Sequence, residues 1–179
     1  MYKKAILYRI LVSFAFICMS WSWTKQPYSE YNVKLVFIEK FTHFIDWPEP
    51  KSPTSSKYFN IGIYGTNPFG DNLTFLAKNR KIKDLPIKVE FLSNLSKIDD
   101  LNLLFIASDR ASEINEITEY ITNRPILTIS DVPLAETKGV LINFYVEDEK
   151  IKFYINNQRA SKSNLVIHSP LLKIATIVK

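Results

Sequence analysis

The stretch Arg124–Asn156, RPILTISDVPLAETKGVLINFYVEDEKIKFYIN, decides the fold. Pro125 opens an apolar run, Ile126–Ser130, that stops at Asp131. A run this short, rich in β-branched residues, predicts a buried strand ending in a polar turn. A short helical or irregular piece follows. Val140–Val146 and Ile151–Ile155 then alternate apolar and polar residues around Glu147-Asp148-Glu149-Lys150, the pattern of a β-hairpin. In the hairpin Phe144 and Tyr145 must face opposite ways, as must Phe153 and Tyr154.

Working outward, Tyr58–Gly65 and Ile87–Leu92 read as strands, and Leu101–Ala107 is continuous apolar sequence, the mark of a strand covered on both faces. Helices are expected between them. One is capped by Asn67, with Pro68 at its first position and Phe69, Leu73, Leu76 and Ala77 on its inner face. Another spans Asp109–Thr122, turning Ile114, Ile117 and Ile121 inward. Such strand–helix–strand alternation implies right-handed crossovers and a mainly parallel sheet. The fold class is therefore α/β: a three-layer sandwich with a mixed, mainly parallel sheet and a C-terminal antiparallel hairpin at one edge. Before the first strand, Ser29 caps a helix expected to reach Asp46, whose broad stripe of Val33, Phe37, Phe41 and Phe44 calls for burial. Trp47-Pro48 stops it, and Glu49–Lys57 is a Pro- and Ser-rich loop. Beyond the hairpin, Asn157–Asn164 is helix-compatible. A last helix is expected from Ser169-Pro170, with Leu171, Leu172, Ala175 and Val178 as its stripe.

The chain has 179 residues, 46% hydrophobic and 23% charged, which is one globular domain's worth. Its first 22 residues read as a signal peptide, leaving a single α/β domain over residues 23–179. Lys3, Lys4 and Arg9 precede the apolar run Ile10–Met19, and Ser20 and Ser22 offer small residues for cleavage. The alternative is an uncleaved anchor, although the run is short for a bilayer. Ile17 before Cys18 is wrong for a lipoprotein signal. Removing the three signal cations lowers the formal net charge from +5 to +2, which gives no argument for nucleic acid as a partner. The single cysteine, Cys18, leaves with the signal, so neither a disulfide nor a thiolate ligand is expected.

Catalytic patterns fail one by one. Gly62, Gly65 and Gly70 lie at a strand-to-helix turn, but their spacing is not G-x-G-x-x-G and no Walker lysine follows. Asp109 and Ser130 end consecutive strands as in a phospho-acceptor receiver, yet the acidic residues expected after the first strand are absent. His43 and His168 cannot complete a zinc site alone, and no G-x-S-x-G elbow exists. Ser130-Asp131 reads as turn chemistry, with Asp131 bonding its own following backbone. No enzyme activity, metal or cofactor is expected. A crevice at the strand ends near Gly65, Asp109 and Asp131 is the place for a small ligand, if the protein binds one. Aromatic residues make up 13% of the chain; most suit core packing, and the remainder suit a protein contact.

The segments EYNVKLVFIEKFTHFIDWP (30–48), FNIGIYGTNPFGDNL (59–73), LLFIASD (103–109), PILTISD (125–131), KGVLINFYVEDEKIKFYIN (138–156) and NLVIHSPLLKIATIVK (164–179) together resemble the YfiR-like periplasmic proteins. That resemblance implies an exported, non-enzymatic regulator, dimeric as is typical of the family. It would bind the periplasmic sensor domain of a membrane-anchored diguanylate cyclase and thereby control cyclic-di-GMP signalling. An OmpA-type, peptidoglycan-associated lipoprotein would relieve the repression. Other relatives accompany histidine kinases or TonB-dependent receptors, so a different inner-membrane sensor is the alternative partner. Characterised relatives carry disulfides; here Asp100-Leu101-Asn102 stands where many have a cysteine before the LLFI strand, which removes redox control. The residues expected at a partner contact are Trp47, Phe144, Tyr145, Tyr154 and Arg159.

Overall fold

The computed structural model describes residues 30–49 and 56–178. The expected signal segment and the Ser29 cap lie outside them. An eight-stranded sheet runs through the molecule, and its elements follow one another in chain order. They are α1 (Glu30–Thr42), β1 (Ile45–Asp46), β2 (Phe59–Tyr64), α2 (Asp71–Asn79), β3 (Lys81–Ile82), β4 (Leu85–Leu92), β5 (Leu103–Ile106), α3 (Ile114–Tyr120) and β6 (Leu127–Ser130). Then come β7 (Ile142–Glu147), β8 (Lys150–Asn156), α4 (Asn157–Lys162), β9 (Val166–Ile167), α5 (Ser169–Leu172) and β10 (Thr176–Val178). The sheet order is β10-β8-β7-β6-β5-β2-β4-β3, and only the β7–β8 and β3–β4 pairs are antiparallel. A separate two-stranded sheet joins β1 to β9.

Alternation along the strands sorts the apolar residues onto two faces. On one face α1 and α2 cover a core containing Phe41, Phe59, Phe105, Phe144 and Phe153. On the other, Ile114, Ile117 and Ile121, from α3 and its C-cap, pack on Leu104, Ile106 and Val140. These layers make the expected three-layer α/β sandwich. The aromatic centre is dense: the Phe41 ring centroid lies 4.6 Å from Phe153 and 5.6 Å from Phe144. Gly62 is needed on β2 because a Cβ there would meet Leu101 Cδ1 at 2.4 Å.

Five local expectations are corrected. The first helix ends at Thr42, whose hydroxyl donates back to the Glu39 carbonyl at 2.6 Å. Ile45 and Asp46 instead pair with Ile167 and Val166, and His168 N–H donates to the Phe44 carbonyl at 2.9 Å. The second helix begins at Asp71 with Gly70 at its N-cap (φ 55°). Asn67 sits earlier, its side chain accepting from Phe69 N–H and donating to the Gly70 carbonyl. The polar stretch after α2 hides a hairpin, β3–β4, turned by Lys83 and Asp84 at positive φ. The expected C-terminal helix stops at Leu172. Thr176-Ile177-Val178, all three branched at Cβ, add a parallel strand to β8. The hairpin consequently sits inside the sheet, not at its edge: β6 flanks β7 and β10 flanks β8.

Candidate functional site

The carboxyl end of β6 meets the first turn of α1 and the start of β7, and a cavity of about 340 Å³ opens between them. Its floor is polar and buried. Lys34 lies on the inner face of α1 with its side chain 4% exposed, and its Nζ contacts Asp131 Oδ2 at 2.6 Å and Glu30 Oε1 at 2.5 Å. The ammonium also stands 4.5 Å from the Tyr31 ring centroid. Burial first, and the neighbouring Asp131 carboxylate second, push the Tyr31 phenol up to about 12. On the other side Asn143 donates to Glu136 Oε2 at 2.6 Å and to the Val132 carbonyl at 2.9 Å. Asp131 Oδ1 and Asn143 Oδ1 are buried without an aligned donor.

The rim is aromatic and aliphatic. Tyr145 and Tyr154, opposite the Phe144–Phe153 face of the hairpin, stack with centroids 4.2 Å apart and planes 21° from parallel. Tyr145 Oη lies 3.0 Å from Thr176 Oγ1, which ties the pair to β10. Leu134, held at φ 63°, and Val146 are 64% and 54% exposed beside the same opening. Burial, and then the Tyr145 beside it, raise the Tyr154 phenol above its ordinary range. The lining carries Glu30, Asp131 and Glu136 against the single cation Lys34, so the opening has a formal excess of two negative charges.

Sequence reasoning placed five residues at a partner contact, and the fold separates them. Tyr145 and Tyr154 come together at the rim. Phe144 is 2% exposed and belongs to the aromatic core. Trp47 is 6% exposed; its Nε1 donates to the Asn102 carbonyl at 3.1 Å and its ring meets Phe59 edge-on. Arg159 is also buried, donating to the Ile121 and Thr122 carbonyls at the end of α3. Trp47, Phe144 and Arg159 are thus largely buried, and none of them joins the tyrosines at the exposed rim.

The three residues proposed for a strand-end crevice do not share one pocket either. Asp131 lines the cavity just described. Gly65 (φ 99°) lies instead against Asp109, whose Oδ1 would stand 2.4 Å from a Cβ on Gly65. Asp109 accepts from Thr66 N–H at 3.1 Å and from its hydroxyl at 2.9 Å, and these bonds hold the carboxyl below its ordinary range. The turn after β6 also differs in detail from its reading. Ser130 Oγ, not Asp131, accepts from Val132 N–H, and it donates to the Ile106 carbonyl. Sequence reasoning missed Lys34, Glu136 and Asn143. Lys34 alone carried a signal, as a lone cation inside the apolar run Val33-Lys34-Leu35-Val36.

The family model described as YfiR/HmsC-like matches residues 31–176, nearly the whole described chain. The chain belongs to the YfiR/HmsC-like family. A comparison with curated proteins returns no match. Among the described residues, no helix of this YfiR/HmsC-like protein is long and apolar enough to cross a membrane. Nor does any group of three or more His, Cys, Asp or Glu residues stand where it could hold a metal ion.

Proposed function

We propose that this protein is an exported, non-enzymatic regulator that works by protein contact. It binds the periplasmic sensor domain of a membrane-anchored diguanylate cyclase and lowers cyclic-di-GMP output. Family membership over residues 31–176 carries the reading. The stacked Tyr145–Tyr154 pair supports the choice of surface: two half-buried aromatic rings beside exposed Leu134 and Val146 form the kind of rim on which interface energy concentrates. The acidic cavity under that rim suits a lysine or arginine side chain of the sensor domain, whose ammonium or guanidinium would meet Asp131 and the tyrosine faces. An OmpA-type lipoprotein as the relieving partner, and a homodimer as the working state, complete the proposal.

The test pairs binding with output. Deleting the gene is expected to raise cyclic-di-GMP and biofilm formation. Tyr145→Ser/Tyr154→Ser is expected to fold but fail to retain the sensor domain in pull-down from envelope extracts. Unchanged cyclic-di-GMP on deletion, with no membrane sensor recovered by the wild-type protein, would sink the reading.

A further inference from the structure

A second cavity, of about 320 Å³, lies between α3, the turn at Thr137–Gly139 and α4, apart from the aromatic rim. Its defining residue is Arg159. Asn156 caps α4, accepting from Arg159 N–H at 2.8 Å, which fixes Arg159 in the first turn of that helix. The residue is 4% exposed. Its Nη1 and Nη2 donate to the Thr122 and Ile121 carbonyls, both at 2.6 Å, and Nε is buried with no partner. Arg159 forms no ion pair with a carboxylate among the described residues. A guanidinium carries five N–H donors. Two are used here, on neutral carbonyls, so a buried positive charge is only partly compensated.

The surroundings add to that imbalance. Exposed Lys138 and Lys162 share the lining, against the single carboxylate of Glu119, leaving a formal excess of two positive charges. Thr122 Oγ1 donates to the Thr118 carbonyl at 2.8 Å, and Thr137 Oγ1 to the Leu134 carbonyl at 2.7 Å. With their hydrogens engaged, both hydroxyl oxygens present lone pairs, which can accept from a ligand's hydroxyl groups. Cations for an oxyanion and acceptors for hydroxyls thus stand around one opening of a size suited to a small ligand.

We propose that this cavity is a binding site for a small hydroxylated oxyanion, an organic acid or phosphate ester of about monosaccharide size. The oxyanion sits between Lys138 and Lys162, over the buried charge of Arg159, while its hydroxyls donate to Thr122 and Thr137. The site is independent of the aromatic rim, so its test is independent of the regulatory reading.

Isothermal titration of the full chain with gluconate, glucose 6-phosphate, inorganic phosphate and glucose is the experiment. Gluconate or glucose 6-phosphate is expected to saturate at least about tenfold more tightly than glucose and inorganic phosphate, and the better of the two identifies the headgroup. Lys138→Glu/Lys162→Glu changes only exposed side chains and is expected to abolish that binding while unfolding as cooperatively as wild type. Arg159→Lys keeps the charge but loses the fork, and is expected to weaken binding at least about fivefold. The proposal is overturned if no anion saturates, if glucose or inorganic phosphate binds as tightly as the hydroxylated anions, or if the double lysine variant binds like wild type.

Discussion

The Lys34–Asp131 pair offers a sharp physical test of the fold, because both side chains are nearly dry. They are 4% and 7% exposed, with Nζ 2.6 Å from Oδ2. At that separation and an effective dielectric of about 20, the attraction is roughly 6 kcal/mol, and several kcal/mol of desolvation per ion offset it. The intact pair is therefore close to neutral for stability, whereas removing one partner strands a buried charge, at about 3–5 kcal/mol. Glu30 softens the loss for Lys34 only slightly: its side chain is 49% exposed, and such contacts contribute about 1 kcal/mol or less. Asp131→Leu is thus expected to cost about 3 kcal/mol, and Lys34→Met about as much, since it leaves Asp131 with the Tyr31 phenol alone. Lys34→Met/Asp131→Leu is expected to cost less than either single change. Urea unfolding of the four proteins gives the cycle, and calorimetry should show single-variant Tm values lower by roughly 6–12 °C. Additive losses, or single changes costing under about 1 kcal/mol, would refute the view that the two charges compensate each other in a dry site.

Three further outcomes follow from the packing. Phe41→Ala empties the space between Phe144 and Phe153 and is expected to cost about 3–5 kcal/mol, read from the urea midpoint. Gly65→Ala meets a positive φ, the Asp109 carboxylate and Arg110 Cγ, and is expected to cost about 1–3 kcal/mol; adding Asp109→Ala should recover only the part of the steric cost that the carboxylate imposes. The Asp46 carboxyl is held below its ordinary value of 3.8 by His168 first and Lys83 second. A depressed folded-state pKa contributes stability above the unfolded value and loses it as pH falls through the folded one. Wild type should therefore lose more stability than Asp46→Asn below about pH 4, by at most about 1 kcal/mol because the pair is exposed, and urea midpoints from pH 5 to 3 measure it.

Much of this architecture is legible in the chain, and its failures have physical causes. Leu103–Ile106 announces a central strand because both faces are covered and no polar residue interrupts it, and Leu127–Ser130 does so with only the small hydroxyls of Thr128 and Ser130 among its buried side chains. The β7–β8 hairpin is legible because alternation flanks a charged turn. The β3–β4 hairpin is not, since Lys83 and Asp84 adopt positive φ without the glycine that would advertise it. Thr176–Val178 fits a helical stripe as well as a strand, and only the open edge of β8 decides between them. At the candidate site, alternation put Tyr145 and Tyr154 opposite the Phe144–Phe153 face. The polar floor stayed hidden because Glu136 and Asn143 look like surface residues until the turn after β6 folds back and Asn143 bonds both Glu136 and the Val132 carbonyl. Arg159 stood out in the sequence, but its burial depends on the end of α3, which no local pattern reveals.

The contact between Gly65 and Asp109 reaches beyond packing. Nucleotide-binding α/β proteins leave the turn after the first strand open, so that backbone N–H groups can cradle a phosphate. Here Thr66 N–H already holds a negative guest, the chain's own carboxylate, tethered from the neighbouring strand end. A free phosphate would have to evict a covalently attached competitor of its own charge sign. At this turn the chain's own carboxylate occupies the backbone N–H that an incoming anion would need, so an anion enters here only by displacing Asp109.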